Sequence, residues 1–291
     1  MSDELVSVIM AAHNSERWIE AAIRSIQGQT HANWELIVVD DGSTDRTLAL
    51  ASNFVDNRIK VFALDANMGS GFARNFALHQ AKGKYFAVAD ADDLSLPNRL
   101  ELQLQAFGET SGIELVSGQT IDRDARGRLK FGHWTTNNAT ASSQLALQKM
   151  PIAHCTAMFK TESVLQVGGY CIELKRAQDF CLLLKMHGPH LRVLSAPLVI
   201  YRHESPESLR YILASGRAGL AARQSVSNNA MISKRARPGL ALFVCDLKST
   251  MQWIKENCAC LFRTQISSSW LNGYIAALSS TPHGNSAHVG K

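Results

Sequence analysis

Along the first hundred residues, short apolar runs alternate with longer stretches whose apolar positions recur every three or four residues. Val6–Ala11, Trp34–Val39, Ile59–Leu64 and Tyr85–Ala89 are runs of strand length, and Glu16–Gln27, Thr44–Phe54 and Ser70–Ala81 carry helical spacing between them. Strands that alternate with helices of this length run parallel, because each helix carries the chain back to the same end of the sheet. The pattern therefore predicts an α/β fold with an open, mostly parallel sheet flanked by helices. Asn14 or Ser15 is suited to cap the first helix and Ser43 the second, each offering an oxygen to the unpaired N–H groups of an opening turn. Pro97 suits the first turn of a fourth helix running to about Thr110, since it has no N–H to leave unpaired.

Past Ile113 the regularity weakens. Ile113–Gln119 and Cys155–Phe159 read as strands, Thr120–Trp134 as a polar hairpin or loop, and Gly168-Gly169-Tyr170 as a turn. Ala177–His187 reads as a helix and Leu191–Val199 as two short strands hinged at Pro197. Helices are expected over Leu209–Ser225 and Leu240–Phe262, with Lys234, Arg235, Arg237 and Pro238 in the linker between them.

In open parallel sheets ligands collect beyond the carboxyl ends of the strands. Those positions are polar here: His13-Asn14 after the first strand, Asp40 to Asp45 after the second, and Asp90-Ala91-Asp92-Asp93 after the fourth. Carboxylates as close as Asp90 and Asp92 repel, and burial makes each costlier unless it is paired or metal-bound. Mg²⁺ or Mn²⁺, which take hard oxygen ligands and often share them with substrate phosphates, would relieve that repulsion. The alternative is a solvated loop that caps the Pro97 helix through Asp93 or Ser95.

Composition narrows the picture. With 46% hydrophobic and 19% charged residues among 291, the chain is an ordinary folded protein rather than a disordered or fibrous one. Six cysteines are too few for a disulfide framework and lack zinc-finger spacing, so reduced thiols are expected. The acidic start and the lack of any run of 18 apolar residues argue against a signal peptide and a membrane span. Charge is uneven: residues 1–204 balance at −2 and residues 205–291 at +7. The basic segment raises the question of an anionic partner, the other reading being that the apolar run Leu240-Ala241-Leu242-Phe243-Val244 packs on the rest of the chain or on a second copy with the charges left solvated. A membrane surface fits better than nucleic acid, for which too few aromatics are interleaved.

Taken together, Val6 to Asn14, Leu36 to Asp45, Asn67-Met68-Gly69 with Ala73-Arg74-Asn75, and Ala81 to Tyr85 leading into Asp90-Ala91-Asp92-Asp93 and Pro97 resemble the family 2 glycosyltransferases of the GT-A fold. The resemblance implies residues 1–112 as a nucleotide-sugar-binding half, 113–204 as the acceptor-binding half of the same domain, and 205–291 as a basic helical extension. It implies that Ala11, His13, Asn14, Asp41, Arg74, Asp90 and Ala91 line the donor. Asp41 would accept a hydrogen bond from a uracil N3–H, as an acceptor-only carboxylate can. Asp92, with His203 of Tyr201-Arg202-His203, would hold Mn²⁺ or Mg²⁺.

Gly168-Gly169-Tyr170 and Gln178-Asp179 resemble the family's Gly-Gly-aromatic turn and Glu-Asp pair, which makes Asp179 the implied catalytic base and Gln178 a departure. Ala11-Ala12-His13 is another, where relatives commonly carry Pro-Thr-Tyr. His154 is expected in the core, with an acceptor-pocket wall as the other reading. The implied reaction is metal-dependent inverting transfer from a nucleotide-diphosphate sugar to a hydroxyl of a glycan or lipid-linked glycan. Such a protein is expected in the cytoplasm, peripherally on the inner face of the cell membrane through its basic segment, with a second copy of the chain as a further partner. A sugar nucleotidyltransferase would need a glycine-rich loop after the first strand, which His13-Asn14-Ser15 is not. A relative that binds nucleotide-sugars with impaired catalysis is the remaining alternative.

Overall fold

The computed structural model describes residues 3–132, 134–146, 149–186, 190–202 and 209–228. The chain runs β1 (Val6–Ala12), α1 (Ile19–Gln27), β2 (Trp34–Asp40), α2 (Thr47–Ser52), β3 (Ile59–Ala63), α3 (Ser70–Gln80), β4 (Tyr85–Asp90), β5 (Leu94–Ser95) and α4 (Arg99–Glu109). It continues through β6 (Leu115–Arg123), β7 (Leu129–Phe131), α5 (Asn138–Ala146), β8 (Met158–Lys160), α6 (Thr161–Gln166), α7 (Gln178–Lys185), β9 (Leu191–Arg202) and α8 (Leu209–Asn228).

The strands form one sheet in the order β3-β2-β1-β4-β8-β6-β9-β5, with β7 paired to β6. The first four strands are parallel, as the alternation predicts. β8 then enters antiparallel between β4 and β6, so the sheet passes without a break from the first hundred residues into the next. Alternate residues of β1 supply two cores: Val6, Val8, Met10 and Ala12 pack on α1 and α4, whereas Ile9 faces Ala73 and Ala77 of α3 together with residues of α7 and α8.

At the change of direction beside β8 the core is polar. Arg99 is fully buried and donates to the carbonyls of Val88 at 2.7 Å and Ala157 at 3.4 Å, and to Ser95 Oγ at 3.0 Å. Gln103 donates to the carbonyls of Val116 at 3.0 Å and Thr156 at 2.9 Å. These side chains bring donors to buried carbonyls where the short β8 begins, the Ala157 carbonyl also accepting the Val88 N–H at 2.9 Å.

Several local expectations are corrected. Neither α1 nor α2 has a side-chain hydrogen bond at its N-cap, and the helices begin at Ile19 and Thr47. Asn14 instead accepts from Thr44 N–H at 2.9 Å while its own N–H donates to Ser43 Oγ at 2.9 Å, so these residues tie the loop after β1 to the loop after β2. Asn14 is left-handed there, at φ +49°, a conformation asparagine tolerates. Leu191–Arg202 is one strand rather than two; its pairing to β6 shifts where Pro197 faces Gln119, because proline has no N–H for the ladder. Helices α5 and α6 and strand β5 were not foreseen.

The expectation of reduced thiols also fails, because Cys171 and Cys181 form a disulfide with Cα atoms 6.3 Å apart. The turn at Gly168-Gly169 brings Cys171 back onto α7. A bridge over so short a loop is worth roughly 3 kcal/mol. Denaturant unfolding of Cys171→Ser is expected to show that loss, and a dithiol reductant should bring the wild type to the same midpoint. Among the described residues no helix is long and apolar enough to cross a membrane.

Candidate active site

The parallel strands end together at one edge, and their loops build a polar cleft. After β1, His13 Nδ1 lies 2.8 Å from the Asp41 carbonyl, which only accepts, so Nδ1 carries the proton and Nε2 accepts from the Asn14 amide at 3.2 Å. After β2, both oxygens of the buried Asp41 carboxylate are engaged: Met68 N–H donates at 2.7 Å and Gly69 N–H at 2.9 Å. Each oxygen keeps a second lone pair for a ligand N–H. Gly42 is required between them, at φ +64°, where an added Cβ would lie 2.5 Å from the Ala66 carbonyl carbon.

After β4, Asp90 pairs with Arg74 of α3 at 2.8 Å. Burial alone would raise the Asp90 pKa, but Arg74, with His154 and Arg99 behind it, holds it below the usual carboxylate range. Burial disfavours the Arg74 cation too, but Asp90, Tyr170 and Asp179 together hold its pKa above the usual value. Among the described residues, the buried Nε of Arg74 has no hydrogen-bond partner. Ala91 is buried, Asp92 is exposed, and Asp93 is buried again.

Asp93 is a structural anchor. It accepts from Arg202 N–H at 2.9 Å, while the Arg202 guanidinium donates to the Asp92 carbonyl at 2.9 Å and stacks 3.4 Å from the Trp18 ring centroid. Burial, with the charges of Asp92 and Asp90 added, pushes the Asp93 pKa well up. The end of β9 is thereby tied to the acidic loop. His203, the next residue, lies outside the described residues, as do Lys234, Arg235, Arg237 and the expected helix Leu240–Phe262.

Asp179 stands in the first turn of α7 and accepts from Phe180 N–H at 2.8 Å. Its charge bears on Arg74, His154 and Tyr170, and Gln178 before it donates to Ser70 of α3, the helix that carries Arg74. Ala177 before it is left-handed, at φ +60°, a strained conformation for alanine. His154, expected in the core, is buried with Nε2 3.0 Å from the Tyr170 hydroxyl. Burial, then the Arg74 charge, lowers its pKa to about 4.

The imidazole is thus neutral in the fold and titrates at its ordinary value once unfolded. Stability present above pH 6.5 should fall as pH drops toward 4, with a slope of up to about 1.4 kcal/mol per pH unit. Denaturation of wild type and His154→Gln across that range should show the slope diminished in the variant.

Asp92 is exposed in the same acidic turn as Asp90, and a carboxylate is the ligand type that suits Mg²⁺ or Mn²⁺ completed by phosphate oxygens. Asp90, Asp93 and Cys155 form a second cluster whose ligand atoms lie within 4.8 Å of one another. Burial, then the charges of Asp93 and Asp90, raises the Cys155 thiol well above its ordinary pKa, and a thiol is a softer ligand than Mg²⁺ or Mn²⁺ prefers. The contacts of Arg99 and Asn75, and the pairing of His154 with Tyr170, were not foreseen. The only sequence signal for them is their place beside Pro97, Arg74 and the Gly-Gly turn.

An open sheet with acidic strand ends, an arginine-paired aspartate and a facing carboxylate defines a GT-A-type glycosyltransferase architecture. The chain belongs to glycosyl transferase family 2, whose model matches residues 7–168. It is 45% identical over 104 residues to the Escherichia coli UDP-Glc:alpha-D-GlcNAc-diphosphoundecaprenol beta-1,3-glucosyltransferase WfgD, covering 36% of this chain and 41% of that protein. It is 31% identical over 228 residues to the E. coli O-antigen biosynthesis glycosyltransferase WbnJ, covering 72% of this chain and 84% of that one. The matches to three relatives of 39–45% identity span 41–47% of their lengths, less than half. The structure of S. aureus TarS 1-349 in complex with UDP-GlcNAc shares the fold, with a TM-score of 0.63 and 20% identity over 94% of this chain and 79% of that chain.

Proposed function

We propose that this chain is an inverting glycosyltransferase that moves a sugar from a uridine-diphosphate donor to a hydroxyl of a glycan or lipid-linked glycan. The observation that carries the reading is geometric: Gln178, which precedes Asp179, donates to Ser70 of the same helix whose Arg74 pairs with Asp90 at 2.8 Å. Asp41 orients the base through its N3–H, and Arg74 uses its unpartnered N–H and its positive charge on the donor. Asp179 takes the proton of the acceptor hydroxyl as that oxygen bonds to the anomeric carbon from the face opposite the diphosphate. The anomeric C–O bond breaks, its electron pair leaves on the nucleoside diphosphate, and the configuration inverts. Asp92, with His203, would hold Mn²⁺ or Mg²⁺, which would supply positive charge for the leaving diphosphate. The donor and the lipid-linked acceptor in WfgD's name support the substrate class.

A lipid-linked acceptor fits a peripheral role for the basic segment after residue 204, which low-salt sedimentation with anionic vesicles would detect. The test of the main reading is a thermal-shift panel of UDP-, GDP-, CDP- and dTDP-sugars with Mn²⁺ or EDTA. UDP-sugars with Mn²⁺ are expected to stabilise the protein by about 2.7 kcal/mol at a hundredfold excess over Kd. No shift with any nucleotide-sugar would overturn it.

A further inference from the structure

Helix α3 carries Arg74 and, through Ser70 and Asn75 of the same turns, grips the segment that carries Asp179. The Asn75 carboxamide reads both polar groups of a residue 95 positions away: Tyr170 N–H donates to Asn75 Oδ1 at 2.7 Å, and Asn75 Nδ2 donates to the Tyr170 carbonyl at 2.9 Å. Gly169, at φ +66°, permits this approach, since a Cβ there would lie 2.4 Å from Asn75 Oδ1. Lys185 Nζ, in the last turn of α7, donates to the Gly169 carbonyl at 2.7 Å.

The other end of the segment is held by the same helix. Gln178 donates to Ser70 Oγ and lies against Gly71, where an added Cβ would stand 3.0 Å from the Cys171 carbonyl and 3.4 Å from Gln178 Cβ. The Cys171–Cys181 disulfide closes the segment on itself. Between the two grips the chain turns outward, with Ile172, Glu173, Lys175 and Arg176 exposed.

We infer that Asn75, seconded by Gln178, is a positioning residue that sets the distance of Asp179 from the donor through α3. The inference rests on the reading of Asp179 as base. Helix α3 is then a common frame: it holds the donor side through Arg74 and the base side through Asn75 and Ser70. Gln178, the departure from the family's acidic residue, fits this latch because its amide can donate to the Ser70 hydroxyl. A glutamate there would accept from the same hydroxyl and keep the grip. A misplacement of the base by about 1 Å can lower turnover on the order of 100-fold.

The test measures hydrogen exchange of residues 169–181 alongside steady-state transfer with varied donor, in the full chain. Asn75→Asp keeps the bond from Tyr170 N–H, removes the donor to its carbonyl and preserves volume, so it guards against an Asn75→Ala variant that does not fold. In both Asn75→Asp and Gln178→Ala, exchange in 169–181 is expected to accelerate at least about tenfold. The kcat should fall about 10- to 100-fold while donor KM stays within about twofold, and Gln178→Glu should restore kcat. Unchanged exchange in folded Asn75→Asp would overturn the inference whatever the activity. So would a rise in donor KM at constant kcat, which would mean that Asn75 serves the donor through Arg74. Failure of the wild type to transfer any sugar would strike the enzymatic reading instead, and the exchange data would still decide the latch.

Discussion

Replacing Asp179 with asparagine is expected to leave UDP-sugar binding unchanged and to lower sugar transfer by on the order of 10² to 10⁴. The amide fills the same volume and can still accept the Phe180 N–H, so α7 keeps its start. What it cannot do is take the acceptor's proton. A neutral side chain also leaves Arg74 and His154 in a more positive field, because the Asp179 charge bears on both. Donor affinity by calorimetry and transfer by product release separate the two effects. Activity within about threefold of wild type would move the base elsewhere, with the exposed Glu173 of the same segment the next candidate.

Asp92→Ala is expected to remove the effect of Mn²⁺ on donor affinity while leaving the folded state nearly as stable as before. The residue is exposed, where substitutions cost little compared with those in the core, and its backbone carbonyl, which accepts from Arg202, is retained in alanine. Loss of outer-shell partners alone weakens metal binding roughly 10- to 100-fold, and loss of a ligand carboxylate should exceed that. Donor affinity in the variant should match that of the wild type in EDTA. Equal wild-type affinities in Mn²⁺ and EDTA would remove the metal from the reading. Asp93→Ala makes the contrast: that side chain is buried and holds Arg202, so its loss should destabilise the protein.

Neighbouring aspartates that look alike in sequence therefore have different roles. Their identity and their place after β4 were legible, because a run of buried strand residues followed by turn residues is a local signal. Which of them faces water was not legible, since that depends on β9 arriving from more than a hundred residues away to engage Asp93. The same holds for the helix starts. Asn14, Ser15 and Ser43 have the right chemistry for caps, but the two loops lie side by side and each satisfies the other first.

The sequence by itself determined the parallel half of the sheet, the strand-end carboxylates and the family, because hydrophobic period and turn chemistry act over a few residues and survive any long-range arrangement. Only the tertiary structure decided that the sheet continues through an antiparallel β8, that a buried Arg99 network seals that change of direction, and that Cys171 meets Cys181. It also decided that Asn75 holds the strap bearing Asp179 to the helix bearing Arg74. Each of these is a contact between side chains and backbone groups far apart in the chain. Their energy depends on mutual burial and geometry, which no local pattern of residues encodes.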